Sequence, residues 1–369
     1  MPDQNSRTKI IFLTLKWLLV PLGMLHWAAV WLRNRCYDWG ICRSRRLAVP
    51  VISIGNIQMG GTGKTPLVIT LLDWLRREGI VAGVLTRGYG RQAGAPLMLG
   101  AMEGASGNAD PARLGDEPAL FLPHLPPGGA LGVGANRHAV GSQLLRAYPL
   151  SLLLLDDGFQ HRKLQRDLDI CLIDVSRWAV HPFLFPFSYL RDIKGSLRRA
   201  HAIILTKGDD AATARLQAQL QEKYRIPVWR GRYEAAGLEA LADGRAVEPD
   251  ELSDRKFGAV CGIANPAHFM AQLSALGIAP LYQHFFPDHH HYTLQDLRLV
   301  FAEAEAAGAE QVIVTTKDAV KLRKIAPPEL AGKLLVLNIR FRIDPPGALE
   351  ALLRARFFES RINTEKRKN

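Results

Sequence analysis

Apolar and polar positions fall into short, strongly apolar runs separated by longer stretches of helical spacing. Val49–Ile54, Val81–Leu85, Leu152–Leu155, Ile170–Ile173 and Ala202–Leu205 are runs of the length and composition of buried strands. The segments between them, such as LVITLLDWLRR after Pro66, carry apolar residues at helical spacing. This alternation predicts an α/β fold, a parallel sheet with helices on both faces. Further apolar strands are expected at Phe257–Val260, Val312–Val314 and Leu334–Leu337, and they predict a second, smaller α/β lobe. Between the two, residues 226–250 read as a two-stranded linker around the Asp243-Gly244 turn. The expected division is 1–46 amino-terminal segment, 47–225 first lobe, 226–250 linker, 251–345 second lobe and 346–369 carboxy-terminal helix with a polar tail.

The segment Ile10–Leu32 is of another kind. As one helix its 23 residues would be about 34 Å long, enough to cross a bilayer core. Lys16, Pro21 and His26 interrupt it, and Lys9, Lys16, Gly23, His26 and Arg33 gather on one side. That asymmetry suits a helix lying in the membrane interface, with Trp17, Trp27, Trp31 and Trp39 at headgroup depth. Arg33, Arg35, Arg43, Arg45 and Arg46 follow, opposed by Asp38 alone, a cluster that attracts anionic lipid. A spanning helix with this positive flank would leave the rest of the chain in the cytoplasm. A buried helix of the globular body fits the length as well; a cleaved signal peptide fits less well, for want of a small-x-small site before the arginines.

Composition adds charge to this picture. The 369 residues carry 47 Lys and Arg against 35 Asp and Glu, a net +12 that calls for an anionic partner. The positive charge is concentrated beside the apolar segment rather than in a stripe interleaved with aromatics, so no nucleic-acid partner is expected. Four cysteines without a C-x-x-C pair argue against a disulfide scaffold and a structural zinc site.

The chemistry begins at Gly60-Gly61-Thr62-Gly63-Lys64-Thr65, between a predicted strand and a predicted helix. Glycines let backbone N–H groups converge on a polyphosphate, and the helix amino end adds partial positive charge. Lys64 reaches the β- and γ-phosphates and Thr65 can place its hydroxyl on Mg²⁺. The strict pattern asks for Gly at position 58, where this chain has Gln58, and related loops carry a Lys where it has Met59. Downstream, LLLL runs into Asp156-Asp157, a strand ending in acids suited to hold Mg²⁺, one at the metal and the other orienting it. Thr86–Arg91, Gly115–Pro118 and Gly134–Arg137 follow predicted strands, where ligands of open α/β sheets bind, although each taken alone also fits a turn or a cap. In Asp288-His289-His290-His291 three consecutive histidines cannot face one ion, so a single His beside a carboxylate as general base is the better reading.

The motifs SIGNIQMGGTGKTP, TRGYGR, GDEP, GANR, LLDDGFQHRKLQRDLDI, FPDHHHYT and VIVTTKDAVKL, in that order, resemble the lipid A 4′-kinases (tetraacyldisaccharide 4′-kinases) along nearly the whole chain. The resemblance implies an ATP- and Mg²⁺-dependent enzyme on the cytoplasmic face of the inner membrane. It implies transfer of the γ-phosphoryl group of ATP to the 4′-hydroxyl of an acylated glucosamine disaccharide 1-phosphate, forming lipid IVA. By resemblance Asp116 is the catalytic base and His289 its partner. Gly60, Gly61, Thr62, Gly63, Lys64, Thr65 and Arg137 lie on ATP, and Thr65, Asp156, Asp157 and Glu117 at the metal. Arg87, Arg91, Arg191 and Asp192 are candidates for the acceptor. One segment departs from the family's L-P-A-G-P-L-R-E: Phe185-Pro186-Phe187-Ser188-Tyr189-Leu190-Arg191-Asp192, a change that bears on acyl-chain contacts. A second reading is a GTPase switch of the metallochaperone type, suggested by Thr206-Lys207-Gly208-Asp209, which resembles N-K-x-D after a strand.

Overall fold

The structure is a computed structural model that describes residues 20–88, 96–101, 116–178, 181, 183–252, 255–263, 265–288 and 290–358. In chain order its elements are α1 (Val20–Asp38), β1 (Val51–Asn56), α2 (Lys64–Arg77), β2 (Ala82–Thr86), β3 (Leu97–Gly100), α3 (Asp116–Ala119), β4 (Ala130–Val133), α4 (Arg137–Ala147), β5 (Leu152–Asp156), β6 (Leu168–Asp174) and β7 (Ala202–Thr206). There follow α5 (Asp210–Tyr224), β8 (Val228–Ala240), β9 (Ala246–Val247), β10 (Phe257–Cys261), α6 (Pro266–Ala275), β11 (Tyr282–Phe285), α7 (Leu294–Ala306), β12 (Gln311–Thr315), α8 (Thr316–Leu322), α9 (Pro328–Ala331), β13 (Leu334–Asp344) and α10 (Ala348–Leu353).

The strands join in one sheet, in the order β11-β10-β12-β13-β8-β7-β6-β1-β5-β2-β4-β3, with β9 paired to β8. The expected parallel strands are present: β7, β6, β1, β5, β2 and β4 run parallel, as do β11, β10, β12 and β13. The β-branched and leucine-rich runs of β1, β5, β6 and β7 are buried throughout, as expected of central strands covered on both faces. A long antiparallel ribbon joins the two sets. β8 has 13 residues and pairs with 11-residue β13 from Arg230↔Asp344 to Ala240↔Leu335. The Asp243-Gly244 turn forms, with Gly244 at φ 74°, but the strand it returns as β9 pairs over only Leu238↔Val247 and Glu239↔Ala246.

Helix α2 shows why these residues fold as they do. Leu67, Leu71 and Leu75, with Val68 and Leu72, form a stripe at helical spacing that is fully buried on the sheet. Each such leucine contributes about 1.5–3 kcal/mol by leaving water. The same cluster holds Phe341 and Ile343 of β13 and Leu349 and Leu353 of α10. β13 and α10 therefore complete the core beneath α2.

Helix α1 docks through Gly23, Val30 and Asn34, a face at spacings of seven and four. Asn34 Nδ2 donates to Asp192 Oδ1 at 2.9 Å and to Ser196 Oγ at 3.1 Å. Of the side expected to be polar, Gly23 lies against the protein while His26 and Arg33 are exposed, as are Met24, Leu25, Trp27 and Leu32. No helix among the described residues is long and apolar enough to cross a membrane; residues 10–19 of the predicted apolar segment lie outside them.

β1 tolerates no side chain at one point: a Cβ on Gly55 would fall 2.6 Å from both the backbone N and the Cβ of Phe159. Gly55→Ala is expected to lower unfolding free energy by about 1–3 kcal/mol through overpacking. Gly195→Ala, with nothing within 4 Å of the new methyl, should leave it nearly unchanged; chemical denaturation of both variants checks this.

Candidate active site

Six parallel strands bring their carboxyl ends to one edge, where open α/β sheets bind ligands. β1 leads into the phosphate loop, β5 ends at Asp156, β2 at Thr86, β6 at Asp174 and β7 at Thr206, while β4 precedes the Gly134–Arg137 turn. The sheet thus collects most of the motif residues noted in the sequence.

The loop has the form its glycines predict. Gly60 and Gly63 take φ 95° and 100°, the left-handed region that only glycine enters without strain. Gly63 caps α2 without a side-chain bond, so the first amides of α2 keep their donors for an anionic acceptor. A Cβ on Gly63 would fall 2.3 Å from the Tyr233 hydroxyl of β8. Asn56 Nδ2 donates to Thr62 Oγ1 at 2.7 Å, and Thr206 Oγ1 to the Thr62 carbonyl at 3.0 Å.

Gln58, the departure from the strict pattern, is fully buried. Its Nε2 donates to the Asp174 carbonyl at 2.9 Å, and its Oε1 accepts from the Asp174 N–H at 2.8 Å. A glycine there could not tie the loop to β6. The Asp174 carboxylate takes Ser176 Oγ at 2.5 Å and Lys207 Nζ at 3.7 Å. Lys207 Nζ also donates to the Gly61 carbonyl. In the Thr206–Asp209 tetrad, therefore, Thr206 and Lys207 hold the phosphate loop, and Asp209 caps α5 by accepting from Ala212 N at 2.7 Å. This use of the tetrad takes away the feature that suggested a guanine-binding switch.

The two acids after β5 divide their work. Asp156 is buried and accepts from Thr86 Oγ1 at 2.9 Å. Asp157 sits at φ 49°, which turns it toward Lys64 Nζ at 3.6 Å and toward the Arg191 guanidinium, whose Nη1 lies 3.0 Å from Oδ2. Burial alone would raise the Asp157 carboxyl, but the Arg191 hydrogen bond and the charges of Lys64 and Arg137 prevail and hold it well below the usual range. Arg137 opens α4 behind Asn136, which caps the helix by accepting from Ala139 N at 3.2 Å. Arg137 is nearly buried; burial and then neighbouring Arg87 lower its guanidinium, against Asp157 and Asp156. This set suits a triphosphate with Mg²⁺: open amides, two or three cations, and two carboxylates at one edge.

Other expected residues are placed differently or lie outside the description. Asp192 is wholly buried and is engaged by Asn34, Ser196 at 2.7 Å and Arg199 at 3.5 Å. It fastens α1 and does not reach the phosphate loop. Arg87 is exposed beyond β2. Asp116 and Glu117 open α3, with their side chains outside the described residues, as are Arg91 and His289. Next to it, His290 is anchored by Asp296 Oδ2 at 3.2 Å and stacks on Phe286. Among the described residues no group of three or more His, Cys, Asp or Glu could hold a metal. Sequence reasoning missed the roles of Gln58, Asp174 and Lys207; the departure at Gln58 was the available signal.

His161 follows this loop. Burial, then Arg137, Arg166, Lys163 and Arg87, push its imidazole down from 6.5 to about 4. Below pH 6.5 the unfolded chain takes up a proton that the native His161 refuses, so its contribution, full above 6.5, is lost as pH falls toward 4. Thermal unfolding across that window should show a shallower loss in His161→Gln than in the parent. Parallel profiles would remove His161 from the acid response.

Comparison with known proteins agrees with this geometry. The family model for LpxK, tetraacyldisaccharide-1-P 4′-kinase, matches residues 15–357. A tetraacyldisaccharide 4′-kinase of Syntrophus aciditrophicus is 36% identical over 91% of both chains. One from Anaeromyxobacter dehalogenans is 38% identical over 85% of this chain and 82% of its own. The crystal structure of LpxK from Aquifex aeolicus in complex with ATP superposes with a TM-score of 0.73 at 28% identity, covering 93% of this chain and 100% of that one. With its phosphate loop, its paired acids and these matches over nearly its whole length, the chain belongs to the tetraacyldisaccharide-1-P 4′-kinase family of lipid A biosynthesis.

Proposed function

We propose that the chain transfers the γ-phosphoryl group of ATP to the 4′-hydroxyl of an acylated glucosamine disaccharide 1-phosphate at the carboxyl edge of β1, β5 and β2. The observation that carries this is the Gly60–Thr65 loop, whose left-handed glycines open the amino end of α2 beside Lys64 and Asp157. Lys64 and Arg137 neutralise charge that spreads over the phosphoryl oxygens during transfer. Thr65, Asp156, Asp157 and Glu117 would hold Mg²⁺, which would neutralise charge on the phosphate oxygens. Asp116 takes the proton of the attacking hydroxyl and His289 orients it, the pair meeting between the 47–225 and 251–345 lobes. Arg87, Arg91 and Arg191 give the acceptor side its positive charge. Helix α1 and the arginines after it hold the enzyme to the anionic surface of the inner membrane, on its cytoplasmic face.

With γ-labelled ATP, Mg²⁺ and detergent-dispersed tetraacyldisaccharide 1-phosphate, label is expected in the lipid, and Lys64→Met should abolish it. Asp116→Asn should lower kcat by roughly 10²–10⁴ with ATP affinity little changed, as expected of a general base. Retained turnover would remove Asp116 from the mechanism. Lys207→Met should raise KM for ATP on the order of tenfold with a smaller change in kcat, because it frees one loop carbonyl from a charged donor. Lys207→Arg should recover part of that loss, and steady-state kinetics on both variants reads the split.

A further inference from the structure

The departure at Phe185–Asp192 carries a consequence of its own. Phe183, Phe185 and Tyr189 are exposed by 51%, 51% and 53%. Two phenylalanines and a tyrosine half in water within seven residues of one loop are unusual unless another apolar phase covers them. Their segment packs against α1 at Gly23 and His26. His26 Nδ1 lies 3.2 Å from the Phe185 carbonyl, the Phe187 ring fills the space where Gly23 has no side chain, and Phe183 packs on Phe187 at 6.1 Å between ring centres. On α1 itself Leu25 and Trp27 are exposed by 66% and 37%.

Charge says what covers it. Arg33, Arg35, Arg43, Arg45 and Arg46 are exposed in and after α1. The acid of the segment, Asp192, is withdrawn into the protein between Arg33 and Arg199. Asp38 is paired with Arg162 at 2.9 Å. Arg33 meets Asp192 and Arg46 meets Asp167 at 3.5 Å, yet exposed arginines outnumber these acids, and apolar side chains beside such an excess match the interface of an anionic bilayer leaflet, where aromatic rings sit among headgroups and guanidinium groups meet phosphates.

The segment is also fixed to the phosphate loop. Met59 N donates to the Tyr189 carbonyl at 2.6 Å, Gln58 bridges Leu190, and Arg191 N donates to the Ile57 carbonyl at 2.9 Å. Arg191 then reaches Asp157.

We propose that Phe183, Phe185 and Tyr189 form a second membrane contact, separate from α1, that enters an anionic leaflet and sets the mouth of the phosphate loop at headgroup depth. There the acceptor's sugar hydroxyl meets the loop while its acyl chains stay in the leaflet. This rests on the lipid-kinase reading above and adds to it the place where the enzyme touches its lipid phase.

The test uses the full chain and vesicles of phosphatidylcholine alone or mixed equally with phosphatidylglycerol. Phe183→Ser with Phe185→Ser should weaken sedimentation with the anionic vesicles on the order of tenfold, the expected loss for two half-buried rings. Transfer to acceptor embedded in those vesicles should fall in parallel, while ATP affinity and transfer to detergent-dispersed acceptor stay within twofold. Phe183→Glu alone, at a half-exposed position, should reproduce the loss on anionic vesicles if the double variant proves unstable. Unchanged sedimentation of these variants, with Leu25→Ser/Trp27→Ser releasing the protein, would overturn the proposal and leave α1 as the whole anchor. Equal loss of transfer in detergent and in vesicles would also overturn it. Absence of transfer by the parent enzyme in detergent would instead defeat the lipid-kinase reading itself.

Discussion

The carboxylate of Asp157 stands between two cations, Lys64 and Arg191, and the arrangement of the site depends on it. A non-glycine residue at φ 49° costs energy, and the pair of charge-assisted contacts offsets that cost. The turn after β5 is thereby set so that one acid looks inward to Thr86 while the next looks outward across the phosphate loop. Arg191 belongs to the segment that runs beneath α1, so the same carboxylate links the loop to the exposed apolar surface. Neutralisation comes from two separate parts of the chain, which makes this contact sensitive to how each of them is seated.

A second layer of control acts on the loop from behind. Gln58 clasps both backbone groups of Asp174, and Lys207 spans from that residue's carboxylate to Gly61. Backbone-directed bonds of this kind fix position without adding charge on the ligand side. They leave the amides at the start of α2 open to an anionic acceptor, which is the division of labour a phosphate loop requires.

The strand–loop–helix grammar of the kinase half was legible because its signals are local: buried β-branched runs, glycines at positive φ, and a stripe of leucines at helical spacing. So were the paired acids, since a strand that ends in Asp-Asp beside a glycine loop has few other uses. What escaped were pairings between distant residues. The Asp243-Gly244 turn could be read, but nothing near β8 announces that its long partner is β13. Gln58 was visible as a departure, while its partner Asp174 was not, because a side chain bonded to backbone leaves no mark on its partner's identity. The partners of α1 escaped for the same reason. Gly23 and Asn34 are small and polar to serve packing and Asp192, and they face the protein.

The position of β13 and α10 sets an order on synthesis. Phe341, Ile343, Leu349 and Leu353 leave the ribosome well after α2 yet lie in the core under it, with Thr70 Oγ1 3.3 Å from the Phe341 carbonyl. The part that carries the phosphate loop lacks these residues until β13 and α10 have been made. Its helix α2 therefore waits, with part of its apolar floor missing, while α1 has already emerged. A nascent chain of this design meets its surroundings through α1 before it can grip a nucleotide firmly.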